Sequence, residues 1–439
     1  MKLSKQEKSW ILYDVGNSAF TMVLTATIPV FFAALVDMAQ IEAVCNNFIV
    51  QALFNKNATL ALAGNMEAFA ALKTALFGLT TTVAVVIVAL IAPIIGAIAD
   101  HRGMKKKMFS VSLLIGVAGL LSLGITQDWL AYLFLIIIAR IGYSAGNIFY
   151  DSMLVDVSTN DRMDYVSSMG YAWGYIGSCI PFTIGIALIL TTPFNLTVQQ
   201  ATQISFILTA VWWMLLTIPL MKNVKQTYYV EMPKHIIKAS FKRVGDTLKK
   251  IKKDRRLLLF IIAYFCYIDG VYTIISMATT YGTEVGLEAT GMIVALLVTQ
   301  IVAFPSAIVA GVLAKKYGAI KLIKGFIIIY AFICLYGYGL NTQFEFWVLA
   351  ISVGLVQGGI QSLSRAYYGK IIPKDESSEY FGFFDIFGKF ADFFGPLLIT
   401  ISASLFGASK YGILALIILF AIGFVLISKV EKENHKQAV

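Results

Sequence analysis

Charged side chains stand inside segments of the chain that are otherwise apolar. They are the carboxylates Asp14, Asp151, Asp269, Asp385 and Asp392 and the cations Arg140, Arg365 and Lys389. An ionised group in hydrocarbon costs about 2.5 kcal/mol or more, so it must face a polar cavity or a partner of opposite charge. Held in this way, such groups can bind the charged ends of a solute, and a carboxylate can take up and release a proton.

The composition identifies the medium around these charges. Of the 439 residues, 58% are hydrophobic and 14% are charged, whereas soluble domains carry about a quarter charged residues. This excludes a soluble globular enzyme. A helix needs about 20 apolar residues to cross a bilayer. Twelve such windows are present, at 10–36, 72–99, 108–126, 129–155, 166–190, 202–221, 257–281, 290–314, 323–340, 346–370, 380–406 and 411–428.

The basic residues between the windows predict the orientation. Twelve spans place both termini on one side, whose loops hold almost all of the Lys and Arg residues outside the spans, while the other side holds Lys56, Lys73 and Lys410 only. Since basic loops stay in the cytoplasm, both termini are predicted to be cytoplasmic. The net charge of +10 then follows from topology, without a nucleic-acid partner. Short lysine-rich loops are typical of a bacterial plasma (inner) membrane protein.

The windows divide the chain into two halves. Residues 1–221 and 257–439 carry six windows each, and short glycine patterns recur between them. The sequence therefore predicts an all-α polytopic membrane protein with twelve transmembrane helices in two pseudo-symmetric six-helix bundles. The basic linker at 222–256 has apolar residues at helical spacing, which predicts an amphipathic helix on the cytoplasmic leaflet or a linker that only covers the inner surface.

Asp269 is the carboxylate expected deepest in the membrane. It lies twelve residues after Leu257, about 18 Å into the bilayer at ~1.5 Å per residue. A desolvated carboxylate at this depth can carry a proton or contact a solute. The alternative is a permanent ion pair with Arg140 or Lys389.

The eleventh window carries a row of charges. Asp385, Lys389 and Asp392 are spaced i, i+4, i+7, so they share one helix face. This row suits a cationic group of a solute or a shared proton, and a purely structural network is the alternative. Together with Asp269, and with Arg140 beside them, Lys389 and Asp392 are predicted to line a central cavity.

Other polar residues are predicted near the inner end or the cavity. Asp151 in the fourth window and Arg365 in the tenth lie at similar depth, so they could pair across the halves as a gate, although Asp151 could instead pair with Lys389 or cap a helix. Further candidates, for which helix packing is the alternative role, are Asp14, Asn17, Gln357 and Gln361.

The turn after the second window resembles the loop motif of the major facilitator superfamily. It reads GAIADHRGMKKK from Gly96 to Lys107, where His101 and Met104 depart from the usual G-x-L-A-D-R-x-G-R-K pattern, so one cation of the motif is missing. Asp100 at a helix end can interact with a helix terminus in the other half, and Gly103 permits a tight turn. Gly96, Asp100, Gly103 and Lys105 are therefore predicted to control the inner gate.

Longer stretches resemble one family within that superfamily. WILYDVGNSAF from Trp10 and GGIQSLSRAYYGKIIP and EYFGFFDIFGKFADFFGP between Gly358 and Pro396 are similar to the "unknown major facilitator" family, which includes the fungal vacuolar effluxers linked to autophagy. The resemblance implies two pseudo-symmetric bundles, alternating access, a monomer, and amino acids as a possible substrate class.

These observations predict a secondary active transporter of a small solute, with protons as the expected coupling ion. The phenylalanines of the eleventh window leave an exporter of amphiphilic, lipid-like or drug-like molecules open, and a non-transporting membrane sensor or scaffold is the alternative from another class. An enzyme is not expected, because the histidines lie outside the windows and no nucleophile and base are grouped. No cofactor or metal is expected, since the four cysteines are far apart.

Overall fold

The computed structural model describes residues 2–36, 40–406 and 409–438. Twelve long helices, called spans 1 to 12 below, contain the twelve predicted windows. Their bounds are Lys5–Leu35, Met66–Ala99, Lys105–Ile125, Trp129–Val157, Met163–Thr191, Val198–Asn223, Arg255–Glu284, Ala289–Tyr317, Ala319–Tyr338, Gln343–Ile371, Ser377–Phe406 and Lys410–Ala438. Among the described residues, eleven helices are long and apolar enough to cross a membrane. The two termini lie on the same side, here called the inner side.

Side-chain caps begin several of the spans. Ser4 and Glu7 form a reciprocal capping box at the start of span 1, and Thr342 and Glu345 do the same for span 10. Asp254 accepts a hydrogen bond from the backbone of Leu257 at the start of span 7. Such caps satisfy amide groups that have no partner within the helix. Span 1 also contains a π-helical turn at Val23–Thr27.

The connections contain further helices. Between spans 1 and 2, the predicted outer loop holds the short helix Ile41–Cys45 and the longer helix Phe48–Leu62. The linker helix, Ile236–Lys253, lies between spans 6 and 7. Its apolar residues were expected to form one membrane-facing stripe. The structure divides them, because Ile251 is buried against the protein while Ile237 and Phe241 are exposed.

Spans 1 to 6 pack against one another, and so do spans 7 to 12. Between these halves, span 2 packs against span 11 and span 5 against span 8. Span 2 corresponds to span 8, and span 5 to span 11, if the second half repeats the first. The two contacts are therefore equivalent under a pseudo-twofold axis, which is the symmetry expected of a duplicated bundle.

Glycine brings the backbones of the halves together at both contacts. A methyl group on Gly96 of span 2 would overlap the carbonyl of Ser378 at the start of span 11. One on Gly311 of span 8 would lie 2.6 Å from Cβ of Ser168 on span 5. Small residues at such positions allow close helix packing within a membrane.

Candidate functional site

Arg365 of span 10 crosses from the second half into the first. Its Nη1 donates to Oδ1 of Asp151 at 2.8 Å, and its Nη2 lies 3.4 Å from Oδ2 of Asp14. Its Nε donates to Oγ of Ser167 at 3.0 Å, and Nη2 also donates to the carbonyl oxygen of that residue. The side chain is 4% exposed, so these groups replace the water that a guanidinium normally holds.

Three aromatic rings surround the same guanidinium. Its central carbon lies 4.7, 5.5 and 4.3 Å from the ring centroids of Trp10, Tyr150 and Tyr171. Trp10 also stacks on Tyr150 and donates to its carbonyl oxygen. A desolvated cation over aromatic faces gains about 2 kcal/mol. The rings therefore add to the ionic bonds, and all three come from the first half.

The structure thus brings Arg365 and Asp151 together, as their similar depth predicts, and adds Asp14 as a second carboxylate. Arg140 lies on the same span as Asp151 but eleven residues earlier, and it is partly buried. Their roles in gating or binding stay predictions, because the contacts alone assign no transport step.

A second ionic cluster lies at the inner ends of spans 2, 3 and 11. Lys105, which is fully buried, donates to Oδ2 of Asp156 at 2.7 Å and to Oγ of Ser377 at 3.0 Å. Oδ1 and Oδ2 of Asp100 accept hydrogen bonds from the backbone amides of Ser378 and Glu379, at 2.7 and 2.9 Å. A carboxylate at these amides interacts favourably with the positive end of span 11.

The turn between spans 2 and 3 has the geometry that its glycine requires. Gly103 has a φ of +74°, a region that favours glycine. Its amide donates to the side chain of Gln226, which follows span 6. The turn is thereby tied to the chain that leads into the linker.

Arg243 on the linker helix supplies a cation beside this turn. Its Nη2 lies 3.0 Å from Oε2 of Glu379 and 3.8 Å from Oδ2 of Asp100. The loop motif lacks one cation because His101 and Met104 replace the expected residues, and Arg243 approaches from another part of the chain. The sequence did not single out Arg243, Glu379 or Asp156, since only a fold brings residues so distant in sequence together.

Burial raises the pKa of Asp100 to about 6, although Lys105 and the amides of span 11 favour its ionised form. Asp100 follows span 2 and lies outside the membrane-spanning segments. Its carboxyl group therefore titrates near neutral pH for as long as the inner ends stay packed.

Polar side chains also connect spans that border the contact between the halves. Nδ2 of Asn17 donates to Oδ1 of Asn147 at 2.7 Å, which links span 1 to span 4 within the first half. The hydroxyl of Tyr175 donates to Oε1 of Gln361 at 3.0 Å, which links span 5 to span 10 across the halves. Asn17 is buried, whereas Gln361 is partly accessible.

The charge row of span 11 is only partly described. Nζ of Lys389 lies 3.8 Å from Oδ1 of Asp385, and both side chains are 19% exposed. They are therefore among the charged groups that retain contact with solvent. Asp392 falls on the same helix, but its side chain lies outside the described part of the structure.

Asp269 is enclosed by protein and contacts the backbone of span 11. It is fully buried, and its Oδ1 accepts a hydrogen bond from the backbone amide of Gly395 at 2.8 Å. Gly395 precedes Pro396, which breaks the hydrogen-bond ladder of span 11. Chain position predicts depth in the membrane, but not the direction in which a side chain points. A role of Asp269 at a cavity, and its alternative pair with Arg140 or Lys389, stay predictions.

Gln357 likewise does not lie between the halves. It is buried at one end of a pocket inside the second half, lined mainly by apolar residues such as Ile274, Met277 and Leu296. Its amide thus faces spans of its own bundle. A role of Gln357 in binding a solute stays a prediction.

Apart from the bond between Tyr175 and Gln361, the described polar bonds between the halves lie toward the inner side. They include Arg365 with Asp14 and Asp151, Lys105 with Ser377, Asp100 with the start of span 11, and a pair in which Lys370 contacts Asp164. Serines add to them, as Ser168 and Ser362 lie 2.9 Å apart. The inner ends of the two halves are therefore held together.

Two six-helix halves with paired charges between them define a membrane transport protein of the major facilitator superfamily. The model of the family described as "Vacuole effluxer Atg22 like" matches residues 4–439, and the chain belongs to this family. It is 43% identical to the "Uncharacterized MFS-type transporter YxiO" of Bacillus subtilis (strain 168), over 99% of this chain and 96% of that protein.

More distant comparisons agree. "Autophagy-related protein 22-1" of Aspergillus niger is 26% identical over 61% of this chain and 47% of the fungal protein, so the match spans about half of that relative. Among solved structures, the human organic anion transporter MFSD10 superposes with a TM-score of 0.71 at 13% identity, covering 96% of this chain and 99% of that one. The transporter FucP gives a TM-score of 0.65 at 15% identity, covering 97% of both chains. These structures support the fold.

Replacing Arg365 should open the inner side. In Arg365→Gln, two carboxylates lose their buried cation, and breaking a buried pair in this way costs about 3–5 kcal/mol. We expect a thiol introduced by Ser168→Cys, with the native cysteines replaced by alanine, to be alkylated much faster in this variant. Adding Asp151→Asn should restore part of the protection, and equal alkylation rates in all variants would contradict the role of the pair.

Acidification should favour the closed inner side through Asp100. The pKa of Asp100 is about 6 while it is buried and ordinary when the inner ends of the halves part. The closed form therefore binds the proton more tightly and is stabilised relative to the open form as the pH falls. Protonation of Asp100 alone should raise the ratio of closed to open protein roughly tenfold between about pH 7 and about pH 5. The same alkylation assay measures it.

The control for this pH response is Asp100→Asn, which cannot titrate. Glu379, Lys105 and Arg243 also face this carboxyl group, so Glu379→Gln separates its contribution. An unchanged response in Asp100→Asn, or opening on acidification, would exclude Asp100 as the titrating group.

Proposed function

We propose that this protein is a secondary active transporter that moves a small solute by alternating access, across a bacterial plasma membrane and with both termini in the cytoplasm. The observation that carries the proposal is the ionic contact of Arg365 with Asp14 and Asp151 between the halves. A buried cation is stable there only while both halves contribute to its surroundings. Exchange of these partners for solute or water would let the inner side open.

Amino acids are the proposed substrate class. A zwitterion needs an anionic and a cationic group close together, and Asp385 and Lys389 offer this pair at 3.8 Å with both side chains partly accessible. Asp385 also lies within electrostatic range of Asp151, so a substrate ammonium could be shared by two carboxylates. Membership of the Atg22-like family supports a transport role, because its description is that of a vacuole effluxer.

Protons are the proposed coupling ion, and Asp385 is the proposed carrier. The sequence favoured Asp269 for this role. A coupling carboxylate must be reached by water from alternate sides, and Asp385 keeps an exposed fraction of 19% whereas Asp269 is fully buried against a backbone amide.

An exporter of amphiphilic or drug-like molecules is the second candidate. The apolar pocket of the second half, with Gln357 at one end, supports it. Such a pocket suits a hydrophobic ligand with one polar group, as in most small-molecule sites.

Flux measurements separate the two candidates. Purified protein in liposomes should exchange a radiolabelled amino acid with an unlabelled pool of the same amino acid, and Lys389→Gln should reduce the rate by at least about tenfold, because a charged hydrogen bond is lost. A panel of amino acids identifies the preferred side chain. Absence of flux for the whole panel, together with saturable export of a fluorescent amphiphile, would favour the second candidate, and absence of both would favour a sensor or scaffold.

Two matched variants identify the coupling residue. Asp385→Asn should abolish the dependence of uptake on an imposed pH gradient, while leaving exchange at equal pH measurable. Asp269→Asn keeps an acceptor for the amide of Gly395 and should retain the gradient dependence. The reverse pattern would assign coupling to Asp269, and retention by both variants would exclude both carboxylates.

A further inference from the structure

The linker helix touches both halves of the protein through one side chain. Nη1 of Arg243 donates to the carbonyl oxygen of Ala97 at 3.4 Å, at the end of span 2. The same guanidinium contacts Asp100 of the first half and Glu379 of the second. Since Glu379 is fully buried, its charge depends on this partner. Arg243 therefore connects the halves only while their inner ends are in contact.

A second ion pair holds the linker helix to the second half. Nζ of Lys250 lies 2.8 and 2.9 Å from the two carboxylate oxygens of Glu376, just before span 11. Lys250 is about half exposed, so this pair is weaker than the one made by Arg243. Ser240, Thr247 and Ile251 line the buried face between these two contacts.

The side of the linker helix next to the buried face is apolar and exposed. Ile237, Phe241 and Leu248 are 63%, 57% and 43% exposed. Their spacing of four and seven residues places them in one row along the helix. Leaving such a row in water is unfavourable, because each large apolar side chain gains about 1.5–3 kcal/mol when buried.

Lysines flank this apolar row. On the side of the helix away from the protein, the exposed cations are Lys238, Lys242, Lys249, Lys252 and Lys253. An apolar row bordered by lysines is the pattern of a helix that lies in a membrane interface, with its apolar side chains at the acyl boundary and its cations at anionic headgroups. The linker helix starts and ends beside the inner ends of the spans, where that interface lies.

We propose that the linker helix binds anionic lipid headgroups of the inner leaflet, and that this binding holds Arg243 between Asp100 and Glu379 and so stabilises the closed inner side. A ligand shifts a conformational equilibrium only if it binds the two states differently. Lipid binding differs between the two states because Arg243 contacts both carboxylates only in the closed state. These contacts fix the position of the linker helix, and so of its lysines, at the membrane surface. The proposal does not depend on the identity of the solute.

The test measures the inner side in bilayers of defined composition. Labels at Asn160→Cys in the first half and Tyr317→Cys in the second, in protein without native cysteines, report the distance between the inner ends. In phosphatidylcholine nanodiscs with increasing phosphatidylglycerol, the closed population should grow. Replacing one lysine that contacts a headgroup should lower the ratio of closed to open protein roughly fivefold, at a fixed phosphatidylglycerol content.

Charge-matched variants identify the surface. Lys238→Gln, Lys242→Gln and Lys252→Gln together should remove the response to phosphatidylglycerol. Three exposed lysines at the adjoining ends of spans 8 and 9, replaced in Lys315→Gln, Lys316→Gln and Lys321→Gln, serve as the control and should leave the response intact. Arg243→Gln should lower the closed population at every composition and remove its rise with phosphatidylglycerol, and Arg243→Lys should recover part of both.

Several outcomes would overturn the proposal. These are a wild-type distance that does not respond to phosphatidylglycerol, a full response in the linker-helix variant, and an equal loss in the control variant. A fluorophore at Phe241→Cys gives an independent measurement, because brominated acyl chains should quench it. If nanodiscs that each hold one protein molecule show no quenching, the apolar row of the linker helix faces water or another protein surface and not lipid.

Discussion

Burial of one guanidinium between two helical bundles is the interaction on which the closed inner side depends. Arg365 belongs to the second half, whereas its carboxylates, its serine and its three aromatic rings belong to the first. Removing a guanidinium from water is costly, and only the full set of partners offsets that cost. The conformation of the whole molecule is thus linked to the electrostatics of a single side chain.

The inner surface repeats the same principle with different groups. Asp100 is satisfied by amides of span 11, and Lys105 is shared between Asp156 and a serine of the opposite half. In each case a polar group of one bundle loses a partner when the other bundle moves away. The loop motif after span 2 lacks one cation in its sequence, and Arg243 of the linker helix lies beside it. The linker therefore takes part in the contact between the halves as well as joining them.

Much of the architecture could be predicted from the sequence, because hydrophobic length and loop charge are local properties. The twelve windows all correspond to helices, and Arg365 meets Asp151 because residues at equal depth on neighbouring spans can pair. Side-chain direction could not be predicted in the same way. The contacts of Asp269 and Gln357 within their own bundle have no sequence signal, since a rotation about the helix axis leaves depth unchanged.

The contact between Arg243 and Glu379 had no sequence signal at all, as it depends on how a surface helix folds back on the spans. Gly96 and Gly311, in contrast, place bare backbone at the two symmetric contacts. Surfaces without long side chains lose little rotamer entropy when they meet and regain little when they part. Parting these two surfaces therefore releases little side-chain freedom, and the buried ionic and hydrogen bonds beside them supply much of what opposes separation.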